Sequence, residues 1–400
     1  MMKRESQTKP VSAATFRILV ALSVIHCLND ALQALLSASY PILKNDLLLS
    51  FGQIGLIALV YQMAASVFQP LVGYYFDKKP FVWSLPVGML FTMTGLILLA
   101  FSTNILMVFI SVFLVGTGSS VVHPEAAKLT SMASGGRRGM AQSLFQVGGN
   151  FGGSLGPLMI ALFVSPYGRQ NIAFFAVLSL LAIIVVNPVC KWYRNALSVL
   201  SKKNGEANSD RHSSLSAGKT VFTIVILLIL IFSKYVYMTS LYSFYTFYLI
   251  EKFNVTIQSS QVLLFVFSSA TAIGTIIGGP LGDKIGRKYV IWISIVGASP
   301  FALLMPHVDL YWTVVLSFCA GFFLSSAFPS IIVYAQELLP GKLGLISGLF
   351  YGFAFGIAGI ASAILGKVAD WYGIETIYHL CAYMPLLGFI AWLLPDLRNK

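Results

Sequence analysis

A polar stripe runs through an apolar segment near the start of the chain. His26, Asn29, Asp30, Gln33 and Ser37 recur at steps of three and four, the spacing that gathers side chains on one face of a helix. An imidazole, a carboxylate and carboxamides on one face can pass protons and hold a small polar molecule by hydrogen bonds. Other apolar segments carry similar groups: Gln62, Ser66 and Gln69; Gln142, Gln146 and Asn150; Lys234, Tyr237, Tyr245 and Tyr248. A single Gln in such a place is most simply an interhelical hydrogen bond, and a single Tyr an interfacial anchor. Four stripes in one chain point instead to a shared, water-filled cavity.

One further segment carries Ser119, Ser120, His123-Pro124-Glu125 and Lys128. His123 and Glu125 lie about 200° apart on a straight helix, so they face different ways unless Pro124 distorts the turn. Glu125 and Lys128 are three apart and suit a structural pair as well as a proton-carrying carboxylate. Asp30, Glu125 and His123 are therefore the proton candidates. A zinc site at His123 and Glu125 lacks a third ligand nearby. The four cysteines, Cys27, Cys190, Cys319 and Cys381, sit singly in apolar runs, without a metal-binding or disulfide pattern. No metal and no cofactor are expected.

The elements that must position these groups follow from composition. The 400 residues are 57% hydrophobic and 10% charged, against about 25% charged in ordinary soluble chains. A soluble fold of this size cannot hide so much apolar surface, and nucleic-acid binding is excluded despite the formal charge of +12. The apolar runs are continuous, which excludes an alternating β-barrel pattern. The polar groups between 26 and 33 interrupt what would otherwise resemble a signal-peptide core, so that segment is expected to stay on the protein.

Hydropathy places spans near 16–42, 51–75, 81–101, 104–130, 138–164 and 170–192, and again near 220–250, 257–280, 288–306, 310–338, 342–368 and 374–395. The fold class is thus an all-α polytopic membrane protein with twelve transmembrane helices in two six-helix, pseudo-symmetric halves. The halves are 1–192 and 220–400, and the polar stretch 193–219 is a cytoplasmic linker. Of the 26 Lys and Arg, only Lys44, Arg169, Lys252 and Lys367 fall on odd-numbered connections, and Lys234 lies within a span. The remainder crowd the even connections and the ends, so both termini and the linker are expected in the cytoplasm.

The halves repeat. Gly73 and Asp77 after the second span match Gly279 and Asp283 after the eighth at an offset of 206. Gly116 and Pro124 match Gly321 and Pro329 at 205, as do Leu144-Phe145 and Leu349-Phe350. Such duplication suits two halves rocking about a midplane site. Asp30 and Lys234 each lie about 21 Å into related helices at about 1.5 Å per residue. They are expected to face each other across the cavity, Lys234 taking an anion and Asp30 a proton.

The run Gly279-Pro-Leu-Gly-Asp283-Lys284-Ile-Gly286-Arg287-Lys288 resembles the signature loop of the major facilitator superfamily. The resemblance implies the major facilitator fold and a cytoplasmic gate built from Gly73, Asp77, Gly279, Asp283, Gly286 and Arg287. The first-half copy departs from it, with Lys79-Pro80 in place of Gly-Arg-Lys. Gly152-x-x-x-Gly156-Pro157 is similar to the core of the family's antiporter motif, although Ser143, Ile160 and Ala161 replace its glycines. The stretches HCLNDALQALLSASYPIL, SLFQVGGNFGGSLGP and FSKYVYMTSLYSFYTFYL resemble a bacterial inner-membrane branch of the superfamily that exports a small phosphonate drug.

The resemblance implies proton-coupled efflux of a small anion such as fosmidomycin, driven by the proton gradient, by a monomer in the bacterial inner membrane. The substrate cavity is expected at Lys234, His26, Asn29, Gln33, Gln62, Gln146, Asn150, Tyr237 and Tyr245. The expected partners are a small anionic substrate, protons and the lipid bilayer, with no nucleic acid. A sugar or organic-anion carrier of the same fold is the alternative. A membrane enzyme would need clustered carboxylates or a nucleophile with its base, which the spacing does not offer. A non-transporting sensor would bind without moving its ligand.

Overall fold

The computed structural model describes residues 13–135, 138–200, 216–338 and 343–396. Without water in the bilayer core, backbone N–H and C=O groups must pair within their own segment, so each apolar run becomes a helix. The elements are α1 (Ala13–Ala38), α2 (Tyr40–Asp46), α3 (Phe51–Lys78), α4 (Ser84–Ala100), α5 (Ile105–Ala133), α6 (Arg138–Met159) and α7 (Ile172–Leu200). The second set is α8 (Ala217–Phe253), α9 (Ile257–Ile285), α10 (Arg287–Leu304), α11 (Leu310–Leu338), α12 (Leu343–Tyr372) and α13 (Ile374–Cys381), which a 3-10 helix, Met384–Leu393, continues.

Eleven of these stretches are long and apolar enough to cross a membrane. The twelfth, α4, has 17 residues and no charged side chain, and at about 1.5 Å per residue it reaches about 26 Å. Pro41 divides the first span into α1 and α2, which carries it to Asp46, beyond the expected end at 42. The sixth span continues as helix to Leu200, past the expected end at 192.

Turn chemistry sets several boundaries. Ser50 and Gln53 cap α3 reciprocally, Asn104 caps α5 by accepting from Met107 N, and Thr256 caps α9 by accepting from Ser259 N. Gly286 ends α9 with φ of 104°, a conformation that glycine adopts without a Cβ clash. Pro157 lies near the end of α6, which passes into a π-helical turn at Ile160–Val164.

Within the first half, α1 packs on α5, α6 and α7, and α4 on α5 and α7. The second half repeats the scheme, α11 packing on α9 and α10. Across the halves, α3 meets α12, α6 meets α9, and α1 touches α8. The α3–α12 seam is tightest at Phe51 and Gly55, where a Cβ added to Gly366 would lie 2.4 Å from Phe51 O, and one on Gly55 2.4 Å from Ser362 O. Towards the end at which α1 begins at Ala13 and α8 at Ala217, the two helices diverge. A Cβ on Gly356 would have its nearest neighbour at 3.6 Å, and one on Gly352 at 4.0 Å.

Candidate functional site

Asp30 stands where α1 crosses α5 and α6. Its Oδ2 lies 3.2 Å from Nε2 of His26, one turn earlier on the same helix, and its Oδ1 lies 3.1 Å from Nε2 of His123 on α5. Asn29 Nδ2 also donates to Oδ1, at 3.1 Å. The carboxylate keeps 23% exposure, so water reaches it, whereas His26 is buried.

The ring of His26 is held from its other edge. Nδ1 donates to the carbonyl oxygen of Phe145 on α6 at 2.8 Å, and the Phe145 ring stacks on the imidazole at 3.9 Å between centres. His26 therefore faces an acceptor at each nitrogen, a carbonyl on one side and a carboxylate on the other. A neutral imidazole has one N–H. The Asp30–His26 contact is a hydrogen bond only when a further proton sits on Nε2 or on the carboxyl group. Without that proton, two lone pairs face each other. His123 is less constrained, because its Nδ1 meets both the carbonyl and the hydroxyl oxygen of Ser119 at 3.1 Å, and that hydroxyl can donate.

Gly149 makes the cluster fit. A Cβ there would lie 2.3 Å from Cε1 and 2.5 Å from Nε2 of His26, and 2.7 Å from Asp30 Oδ2. The glycines of α6, readable from the sequence as packing residues, thus include one that clears space for the polar cluster.

His26, Asp30 and His123 also correct the metal reading. His123 is joined not by Glu125 but by two groups of α1, His26 and Asp30, and the ligating atoms lie within 4.8 Å of one another, near enough to hold a metal ion. Those same atoms are engaged in direct imidazole–carboxylate contacts of 3.1 and 3.2 Å, an arrangement that suits a shared proton.

Lys234 is not the partner of Asp30, contrary to the expectation that they face each other. It is 5% exposed on α8, and among the described residues it forms no ion pair. Its ammonium lies 5.0 Å from the ring centre of Phe328 and 5.3 Å from that of Tyr235. Cation–π attraction offsets part of the cost of burying an ammonium here, and no carboxylate among the described residues offsets the rest, a setting that suits an incoming anion. From Lys234 a line of rings leads back to the cluster. Phe328 packs edge-on to Tyr351 at 5.0 Å, Tyr351 lies 6.2 Å from Phe355, and Phe355 lies 6.5 Å from His123. Gln146 Nε2 on α6 donates to the Tyr351 hydroxyl at 3.3 Å, which joins the two halves. The sequence reading missed Phe328, Tyr351 and Phe355, because aromatic residues in apolar helices carry no distinguishing mark.

Glu125 is separate from the cluster. It pairs with Lys128 at 3.7 Å, and Lys128 also donates to Phe76 O at 3.2 Å, so the structural pairing describes its place. Gln33 Oε1 accepts from the Tyr61 hydroxyl. Gln62 and Asn150 are partly buried, and Asn150 Nδ2 has no hydrogen-bond partner among the described residues. Tyr237 and Tyr245 are fully buried, and Tyr245 shares a 2.9 Å hydrogen bond with Ser317 of α11. That is the packed-interface position, not the cavity wall expected of them.

In the signature loop, Gly286 makes the turn between α9 and α10, and Arg287 pairs with Glu337 at the end of α11. This contact lies within the second half. Nothing lies within 4 Å of where a Cβ on Gly73 would stand. The side chains of Asp77, Gly279 and Asp283 lie outside the described residues.

Comparison with known proteins joins this geometry to a family. The model of the Major Facilitator Superfamily matches residues 22–256 and 227–400. The chain is 52% identical to the Fosmidomycin resistance protein of Escherichia coli (strain K12) over 408 residues, covering 100% of both chains. It is 38% identical to the Uncharacterized MFS-type transporter YfnC of Bacillus subtilis (strain 168), covering 99% of this chain and 96% of that one. The crystal structure of the nucleoside transporter NupG superposes with a TM-score of 0.68 at 16% identity, covering 96% of this chain and 99% of that one. With the family model spanning nearly the whole chain, full-length relatives and a shared fold, the chain belongs to the major facilitator superfamily of membrane transporters.

Proposed function

We propose that the protein exports a small anionic drug of the fosmidomycin type across the bacterial inner membrane in exchange for protons, acting as a monomer and carrying out no chemical step. The halves 1–192 and 220–400 rock about the midplane, the segment 193–219 links them, and both termini face the cytoplasm, as the distribution of Lys and Arg suggests.

The observation that carries the reading is His26, set between the Phe145 carbonyl at 2.8 Å and the Asp30 carboxylate at 3.2 Å. The cluster is bonded throughout only with its additional proton, so gaining or losing that proton changes how α1, α5 and α6 hold together. Lys234 supplies the counter-charge for a phosphonate or hydroxamate group. The rings of Phe328, Tyr351 and Phe355 fill the space between the two sites. An anion admitted beside Lys234 pushes them towards His123 and disfavours the intact, protonated cluster. Proton and anion are then alternative loads, as exchange requires. The name of the 52% identical relative supports the substrate class.

The test is fosmidomycin sensitivity of a hypersensitive host with and without this gene, repeated with a proton uncoupler. Resistance that appears with the gene and vanishes with the uncoupler is expected. Resistance that survives the uncoupler contradicts proton coupling, and unchanged sensitivity contradicts the substrate.

A further inference from the structure

The seam between α3 and α12 carries a contact that neither the signature loop nor the polar stripes explain. At the end remote from Ala13 and Ala217, the Asp370 carboxylate of α12 accepts from two backbone groups of α3. Phe51 N reaches Oδ1 at 2.8 Å and Gly52 N reaches Oδ2 at 2.8 Å. These are the first two donors of the helix, which have no partner within it. Ser50 and Gln53 cap each other and leave these two N–H groups over. A carboxylate at the positive end of a 28-residue helix therefore closes a gap in the capping of α3, and it does so from the other half of the molecule.

The surroundings press the same point together. The Lys44 ammonium lies 4.5 Å from the centre of the Phe51 ring, and that ring packs edge-on against Phe247 of α8 at 5.2 Å. Gly55 and Gly366 let the two backbones touch beside Asp370, and the seam loosens steadily away from it. A carrier whose ends open in turn must part α3 from α12 at this end, and parting them exposes Phe51 N and Gly52 N.

We propose that Asp370 is a positioning residue of the transport cycle, a carboxylate latch on the N-terminus of α3 that holds the far end of the carrier closed and must be released for that end to open. The proposal rests on membership of the transporter family, and it is independent of the proton site and of the substrate's identity.

The test reads accessibility of the seam. Leu59, which lies against Gly359 in the seam, is replaced by cysteine in a background with Cys27, Cys190, Cys319 and Cys381 changed to serine. A membrane-impermeant thiol reagent is then applied to right-side-out and inside-out vesicles. Asp370→Ala should speed labelling from the far side by at least about threefold, because charge-assisted bonds are lost. Asp370→Asn, which keeps one accepting oxygen, should fall between the two. Asp309→Ala removes a carboxylate that caps Trp312 N of its own half at 2.9 Å, and should leave labelling unchanged. Equal labelling in Asp370→Ala and the parent overturns the latch, as does an equal rise in Asp309→Ala. A second measurement does not depend on how the alanine variant folds. In the double variant Gly52→Cys and Asp370→Cys, oxidation with copper phenanthroline should stop transport, and reduction should restore it. Transport that continues through the cross-linked protein shows that the contact need not break, and overturns the proposal.

Discussion

His26 and Asp30, one helical turn apart on α1, meet at 3.2 Å while the far nitrogen of the imidazole is committed to the Phe145 carbonyl at 2.8 Å. With His26 neutral and Asp30 ionised, this contact is one proton short of a hydrogen bond. Its consequences extend to the neighbouring helix, because α6 supplies both the carbonyl and the glycine that makes room.

Gly149→Ala should disable the cluster without unfolding the protein. The added methyl would stand 2.3 Å from His26 Cε1, so His26 must leave Asp30. Export should fall at least about tenfold, the factor that about 1.4 kcal/mol represents. Gly153→Ala, with nothing within 4 Å of its Cβ position, should retain export. Vesicle uptake and the amount of protein in the membrane, measured together for both variants, check this.

Lys234→Gln should weaken substrate binding by about tenfold or more, since it removes the charge that an anion meets in a poorly solvated place. Lys252→Gln is the matched control. That lysine donates to the Tyr248 hydroxyl at 2.9 Å and to Pro306 O at 2.6 Å, away from Phe328. A binding titration with fosmidomycin should separate the two variants. Equal affinity would move the anion elsewhere.

Tyr351→Phe and Gln146→Ala remove the same 3.3 Å hydrogen bond from opposite halves. Each should slow export by about two- to tenfold, the range for a net contribution of about 0.5–1.5 kcal/mol. The double variant should be no slower than the worse single one, since neighbours that share a bond are not additive. Transport rates of the four proteins complete the cycle.

Cysteine at Asn150 should react with a hydrophilic thiol reagent and be protected by substrate, while cysteine at Tyr245 should stay unreactive. The first position has an unpartnered polar atom and partial exposure, whereas the second is buried with its hydroxyl bonded to Ser317.

The spans were legible because lipid leaves the backbone little choice. Ser84–Ala100 needed only an uncharged apolar run, and the paired offsets of Gly116–Pro124 and Gly321–Pro329 revealed the duplication. The members of the cluster were legible singly, as polar residues costly in hydrocarbon. Their pairing was not, because it depends on how α1, α5 and α6 are rotated at their crossing. Depth along the helix suggested Asp30 with Lys234, but depth says nothing about azimuth. Gly149 read as packing, and only the position of His26 beneath it gives it a second task. Asp370 lies between the spans expected at 342–368 and 374–395 and was not singled out, since a carboxylate that caps a helix 318 residues away leaves no local pattern.

Asp30→Asn is the most direct test of proton exchange. Reconstituted in vesicles, this protein should lose uphill fosmidomycin transport driven by a pH gradient while keeping exchange of labelled for unlabelled fosmidomycin, because the amide cannot share the proton that His26 and the carboxylate hold between them. If the variant still concentrates fosmidomycin against its gradient, Asp30 does not carry the proton, and the reading of the His26–Asp30–His123 cluster as the coupling site is contradicted.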